Sequence, residues 1–259
     1  MVDNKGGASG AIGTAAVVQA PPDGYTFAVV FDTHGVNPAL QPTLPYDTKR
    51  DLVAVALVGT GAMVIATPAA QPFKTFADVV AAARTAQGVS YCTIGNGSLG
   101  HLAMAMLAKD HQLNFVHVPY RGGGPLMNDA VAGHVPLAVG SIFLAKPHID
   151  SGRLRPLAVS TRQRSANLPD VPSLAEVGFA GFDAPAWWAV LAPAKTPADI
   201  VKRLNDEINA VLKQPDVAAK LAAQGIVTQA STPASAQAFI EGQVDQWGLV
   251  VKANGIKAD

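Results

Sequence analysis

Val89-Ser-Tyr-Cys-Thr-Ile-Gly-Asn-Gly-Ser-Leu-Gly-His101 sets a strand, a glycine turn and a helix start end to end. Val89, Tyr91 and Ile94 have the β-branched and aromatic character of a short buried strand. From Ser98 to Asp110 the spacing predicts a helix, with Leu102, Met106 and Leu107 inward. Between the two lie Gly95, Gly97 and Gly100, interleaved with Asn96 and Ser98. A backbone without Cβ atoms approaches a ligand closely, and the first amides of a helix have no internal partner, so this junction is a seat for an anion.

Outward from it the same grammar recurs. Asn114 to Val118 reads as a strand, Pro119-Tyr-Arg-Gly-Gly-Gly-Pro125 as a second glycine turn, and the helix that follows is closed by Gly133. Val135 to Val139 is a further strand, ending at Gly140-Ser141, with a short helix near Ala145 to Ser151 and a strand from Leu154 to Ser160. Towards the N-terminus, Ala11 to Ala20 is helix-like and Tyr25 to Phe31 strand-like, and Asp32 to Pro38 is a polar loop at a strand end, where open α/β sheets bind ligands. Leu52 to Val58 and Met63 to Thr67 are strands, and Thr75 with Asp78 reads as a capping box for a helix with Phe76, Val79, Val80 and Ala83 on its apolar face, closed by Gly88. Phe182 to Pro193 carries a strand, and everything from Thr196 on reads as helical, with start signals at Thr196-Pro-Ala-Asp199 and Thr232-Pro-Ala-Ser235. Strands alternating with helical spacers make the fold class α/β.

Composition narrows the function. Nineteen basic and nineteen acidic residues cancel across 259, so no net field attracts nucleic acid or an anionic membrane. The single cysteine, Cys92, excludes an internal disulfide and a cysteine zinc site, and its place in a strand marks a buried thiol. His34, His101, His111, His117, His134 and His148 show no metal-ligand spacing, so no metal and no cofactor are expected.

Two enzymatic readings attach to the opening stretch. Gly95-Asn-Gly-Ser-Leu-Gly100 matches G-x-G-x-x-G, the fingerprint of an NAD(P)-dependent oxidoreductase, through Gly95, Gly97 and Gly100. The acidic residue due at the end of the next strand is absent, and Arg121 stands near that position. Asn96-Gly-Ser-Leu-Gly100 approximates the nucleophile elbow of a serine hydrolase built on Ser98, with Asn96 in place of the first glycine and no histidine on a recognisable late loop. Binding without turnover leaves least unexplained.

The order and spacing of further motifs carry a family likeness. These are Ala20-Pro-Pro-Asp-Gly-Tyr25, Thr33-His-Gly-Val-Asn-Pro-Ala39, Gly95-Asn-Gly-Ser98 with His101, and His117-Val-Pro-Tyr-Arg-Gly-Gly123. Pro147-His-Ile149 before Gly152, Leu154-Arg-Pro-Leu-Ala-Val159, Leu168-Pro-Asp-Val-Pro172, Trp188 before Leu191-Ala-Pro193, and Trp247-Gly248 before Gly255-Ile256 complete the series. Together they resemble the periplasmic receptors of tripartite tricarboxylate transporters, the Bug receptors.

The resemblance implies a type II periplasmic-binding-protein-like fold, with two α/β domains around a central cleft: residues 1–88 with 189–259, and residues 89–188. It implies a monomeric extracytoplasmic receptor that binds a small mono- or dicarboxylic acid without catalysis and hands it to membrane transporter subunits, with no nucleic-acid partner. The matching positions carry over Thr33, His34, Asn96, Gly97, Ser98, His101, Tyr120, Arg121 and Gly122 as ligand-binding residues, and also Gly61, Ser141 and Trp187. Lysine is a frequent occupant of the Arg121 position in the family. Family members open with a strand, a turn and a helix, behind an export signal, before the segment that matches Val2 to Ala8, so a shortened chain is expected.

Overall fold

The computed structural model describes residues 1–5 and 7–257; Gly6, in the glycine-rich opening loop, and Ala258 and Asp259 lie outside the described residues. In chain order the elements begin with α1 (Ala11–Val18), β1 (Ala28–Phe31), α2 (Thr33–Leu40), β2 (Leu52–Gly61), β3 (Met63–Pro68) and α3 (Phe76–Ala83). There follow β4 (Val89–Thr93), α4 (Leu99–His111), β5 (Phe115–Pro119), α5 (Gly123–Ala132), β6 (Leu137–Ser141), α6 (Ile142–Asp150) and β7 (Leu154–Val159). The chain closes with β8 (Ala186–Pro193), α7 (Ala198–Leu212), α8 (Pro215–Ala223), β9 (Ile226–Thr228) and α9 (Pro233–Asn254).

Two units result. Among the described residues, the first takes in Met1–Thr60, Trp187–Leu221 and residues 227–257, and the second Gly61–Ala186 with Ala222–Ile226. Residues 61–88, grouped above with the first domain, cluster with the second unit because β3 is an inner strand of its sheet.

In the first unit the sheet order is β1-β8-β2-β9, with β1 antiparallel to β8 from Ala28 opposite Leu191 to Phe31 opposite Trp188. Val30, Ala54, Trp187, Ala189 and Leu191 share a core with Val17 of α1 and Ile240 of α9. Val55 and Ala192 instead pack with Val201, Leu204 and Ile208 of α7, so helices cover both faces. Burial also recruits a polar clamp: Asn205, 5% exposed, donates to Val55 O and Ser231 O at 2.8 Å each. β1 is an edge strand, with Val29 and Phe31 exposed.

The second unit holds a mixed sheet in the order β5-β4-β6-β3-β7. β4 runs parallel to β5 and β6, and β3 antiparallel to β6 and β7. Cys92 packs with Leu126, Met127 and Ala130 of α5 and Ile142 of α6. Its burial pushes the thiol up to about 12, fitting the inert reading. Ser160 closes the end of β7: its hydroxyl donates to Ala184 O at 2.8 Å and accepts from Met63 N–H at 3.0 Å.

Several local expectations are corrected. Asp32 to Pro38, read as a polar loop, lies largely in helix α2 (Thr33–Leu40) despite Pro38, because tertiary packing overrides the weak local signal. Gly35 makes that packing close: a Cβ there would meet Trp187 Cζ2 at 3.3 Å and Gln243 Cβ of α9 at 3.4 Å. The tail is not wholly helical, since β9 completes the first sheet. Pro197, not Thr196, occupies the N-cap of α7, and no side chain caps it. Met104 rather than Met106 is fully buried on α4. The capping boxes at Thr75 with Asp78 and Thr232 with Ser235 are both present, and Gly133 is the left-handed cap of α5.

Candidate functional site

Parallel pairing determines where the polar turns go. Because β4, β5 and β6 run the same way, their C-terminal ends lie at one end of the sheet. The helices α4, α5 and α6 start directly beyond them. Three helix N-termini therefore share that end, one more than the two glycine turns predicted. β3 starts there too, with Met63 opposite Ser141, so Gly61 at the end of β2 belongs to the same neighbourhood. Open α/β sheets bind ligands at this end, and the unpaired amides of helix N-termini favour anions.

The turn after β4 is internally bonded. Ser98 is the N-cap of α4, its hydroxyl accepting from His101 N–H at 3.4 Å and lying 2.7 Å from Gly95 O and 3.1 Å from Thr93 Oγ1. Thr93 Oγ1 accepts from Gly95 N–H at 3.2 Å and sits 2.8 Å from His117 Nε2. Gly97 has φ +68°, a left-handed conformation that disfavours a side chain, and its N–H donates to His101 Nδ1 at 3.1 Å. The His101 and His117 rings stack at 3.8 Å with 13° between their planes, and Tyr91 lies 5.1 Å from His117. Gly100 brings α4 close to the sheet, since a Cβ would meet Val139 Cγ1 at 3.2 Å and Val139 O at 3.3 Å.

The turn after β5 is tied to its neighbour by Tyr120 N–H donating to Thr93 O at 3.0 Å and Gly122 N–H to Ile94 O at 3.3 Å. Gly122, at φ +101°, is the N-cap of α5. The Tyr120 hydroxyl donates to Asp129 Oδ2 at 2.6 Å, which pushes the phenol up to about 12 and holds the carboxyl below its usual range. Arg121 is exposed and has no ion-pair partner among the described residues. Ser141 caps α6 by position, with no capping hydrogen bond from its side chain.

Gly61, Asn96, Gly97, Ser98, His101, Tyr120, Arg121, Gly122 and Ser141 thus belong to one end of the second unit. Thr93 and His117 join them without having been singled out for the site. His117 was legible as part of a motif, but its partnership with His101 depends on the pairing of β4 with β5.

Thr33, His34 and Trp187 belong to the first unit. Thr33 Oγ1 and Asn37 Nδ2 both donate to Ser9 O, at 3.2 and 3.1 Å. His34 is 3% exposed, neither ring nitrogen has a hydrogen-bond partner, and burial pulls it down to about 4. It stacks on Tyr46 and lines a cavity of about 850 Å³ with Thr14, Thr33 and Asn37. Trp187 is wholly buried, edge-on to Phe239, and serves the core of that unit.

The Ser98 hydroxyl is held by the turn and the helix cap. Among the described residues no group of three or more histidine, cysteine or acidic side chains is placed to hold a metal, and no helix is long and apolar enough to cross a membrane.

Comparison with known proteins agrees with this geometry. The family model described as the tripartite tricarboxylate transporter family receptor matches residues 1–256. A UPF0065 protein from the tcbD-tcbE intergenic region of Pseudomonas sp. strain P51 is 36% identical over 253 residues, covering 97% of this chain and 75% of its own. Protein BugT of Bordetella pertussis is 33% identical, covering 99% and 80%. Among solved structures, R. palustris Rpa4515 with adipate is 31% identical with a TM-score of 0.87, covering 99% and 86%. MatC from Rhodopseudomonas palustris with bound malate is 27% identical with a TM-score of 0.79, covering 95% and 85%. The fold is that of periplasmic binding proteins of this type, the oxidoreductase and hydrolase readings are not favoured, and the chain belongs to the solute receptors of the tripartite tricarboxylate transporter family.

Proposed function

We propose that the protein captures a small carboxylate at the end of the second unit's sheet, in the periplasm, without catalysis and as a monomer, for delivery to membrane transporter subunits. The observation that carries this reading is the convergence of α4, α5 and α6 N-termini at that end, with exposed Arg121 on the turn before α5. Each helix N-terminus presents roughly half a positive charge, and a guanidinium adds a bidentate fork suited to a carboxylate. Adipate and malate in the two solved relatives support the same ligand class.

Calorimetry against a panel of adipate, malate, citrate and benzoate tests the reading. At least one is expected to bind with a Kd in the micromolar range, and Arg121→Ala is expected to weaken it about tenfold or more, the scale of one charge-assisted hydrogen bond. A panel in which nothing binds more tightly than millimolar sinks the proposal.

A further inference from the structure

The sheet end that seats the carboxylate is polar and rich in glycine, yet it carries two large apolar side chains in the open. Ile94, the first residue after β4, is 44% exposed, and Phe143, in the first turn of α6, is 58% exposed. Single exposed apolar residues are ordinary on protein surfaces, so what singles these two out is their placement.

Short contacts join both of them to the turn before α5. Gly122 N–H donates to Ile94 O at 3.3 Å, which sets that turn beside Ile94. Gly123 lies against the first turn of α6, since a Cβ there would meet Leu144 Cδ2 at 2.7 Å, and Leu144 is the neighbour of Phe143. The turn that carries Arg121 therefore touches the two segments that expose Ile94 and Phe143, all within the second unit.

The same turn is open to a ligand. A Cβ at Gly122 or at Gly124 would meet nothing within 4 Å, so the backbone can be approached closely there. Gly123 and Gly124 are the first two residues of α5, whose amides have no partner inside the helix. Across residues 94–100, 120–124 and 141–144, the only formal charge at neutral pH is that of Arg121. One guanidinium forks one carboxylate, which leaves the rest of the ligand to meet side chains without charge.

We propose that this seat selects carboxylates by their hydrocarbon body. The carboxylate group lies at Arg121 and the first amides of α5, and an alkyl or aryl chain covers Ile94 and Phe143. Polyhydroxylated acids are disfavoured, because their hydroxyls lose water against these two side chains and gain no partner from them. The inference rests on the receptor reading and adds its substrate class.

Full burial of one methylene strengthens binding about fourfold, and half burial on an open surface about twofold. The test is calorimetry at neutral pH with acetate, butyrate and hexanoate, and with adipate and galactarate, which share six carbons and two carboxylates and differ in their hydroxyls. Hexanoate should bind more tightly than acetate by about tenfold or more, and adipate more tightly than galactarate by a similar factor. Ile94→Thr keeps the branching at Cβ and Phe143→Gln keeps a long side chain, while each removes apolar surface. Each should shrink the hexanoate-to-acetate ratio by about threefold or more, with acetate affinity within about twofold of wild type. Because both residues are exposed, thermal unfolding should stay where it is in the wild type. A wild-type affinity that does not rise with chain length, or galactarate binding as tightly as adipate, overturns the selectivity and leaves the receptor reading standing. Wild-type ratios in both variants overturn the assignment to Ile94 and Phe143. Failure of every carboxylate to bind sinks the receptor reading and the selectivity with it.

Discussion

His34 is a place where burial alone should set the charge of a histidine, and stability against pH tests it. It is 3% exposed, with both ring nitrogens unpartnered, and desolvation lowers it from 6.5 to about 4. The folded imidazole therefore stays neutral where the unfolded one is charged. Above pH 6.5 neither state holds the extra proton and His34 contributes no pH dependence. Between 6.5 and 4 the unfolded chain binds a proton that the folded chain refuses, so stability falls as pH falls. The gap from 6.5 to about 4, at about 1.4 kcal/mol per pH unit, is worth roughly 3 kcal/mol. His34→Leu removes the titration and two buried unsatisfied polar atoms. Urea unfolding of both proteins at pH 7, 6, 5 and 4, followed by fluorescence of the buried Trp187 and Trp247, should show the variant gaining on the wild type by roughly 3 kcal/mol from pH 7 to pH 4. A difference that stays within about 1 kcal/mol across that range would refute the assignment of a buried neutral imidazole.

Asp32, two residues away, has the opposite sign: burial raises its carboxyl to about 7, so the folded state holds a proton that the unfolded state loses above pH 4. Asp32→Asn should therefore gain stability relative to wild type between pH 4 and pH 8, by roughly 1–3 kcal/mol, and denaturation curves showing no pH-dependent difference would count against it. Asn205→Ala removes the side-chain donor to Val55 O, while Ser231 O keeps Asn209 Nδ2 at 2.8 Å, and should cost about 1–3 kcal/mol, seen as a lowered urea midpoint. Gly100→Ala forces a methyl to within 3.3 Å of Val139 O, a backbone atom that cannot swing aside, and should lower stability by about 1–3 kcal/mol while weakening carboxylate binding by displacing the start of α4. Thermal unfolding indistinguishable from wild type would show that α4 has room to spare.

How much of this was legible in the sequence follows from the range of the forces involved. The strand, turn and helix start from Val89 to His101 are local, and Ser98 caps α4 as its residue type and place suggested. The capping boxes at Thr75 and Thr232 and the glycine cap at Gly133 are likewise set by neighbours within a few residues. Helix α2 was not legible, because its sequence is polar and contains Pro38 and the packing around Gly35 involves Trp187 and Gln243, far along the chain. For the same reason β9 was hidden: three residues carry little periodic signal until β2 supplies their hydrogen bonds.

Local signals were enough to give an α/β chain with glycine-opened helices, a family likeness and most of the polar residues now found at one sheet end. That three helix N-termini share that end emerges from long-range pairing alone, because it depends on β4 running parallel to β5 and β6 across long chain separations. Tertiary packing likewise places Trp187 in the core and His101 against His117. Tyr91 pairing with His117 across neighbouring strands brings the two imidazoles together, and no spacing within either turn records that contact.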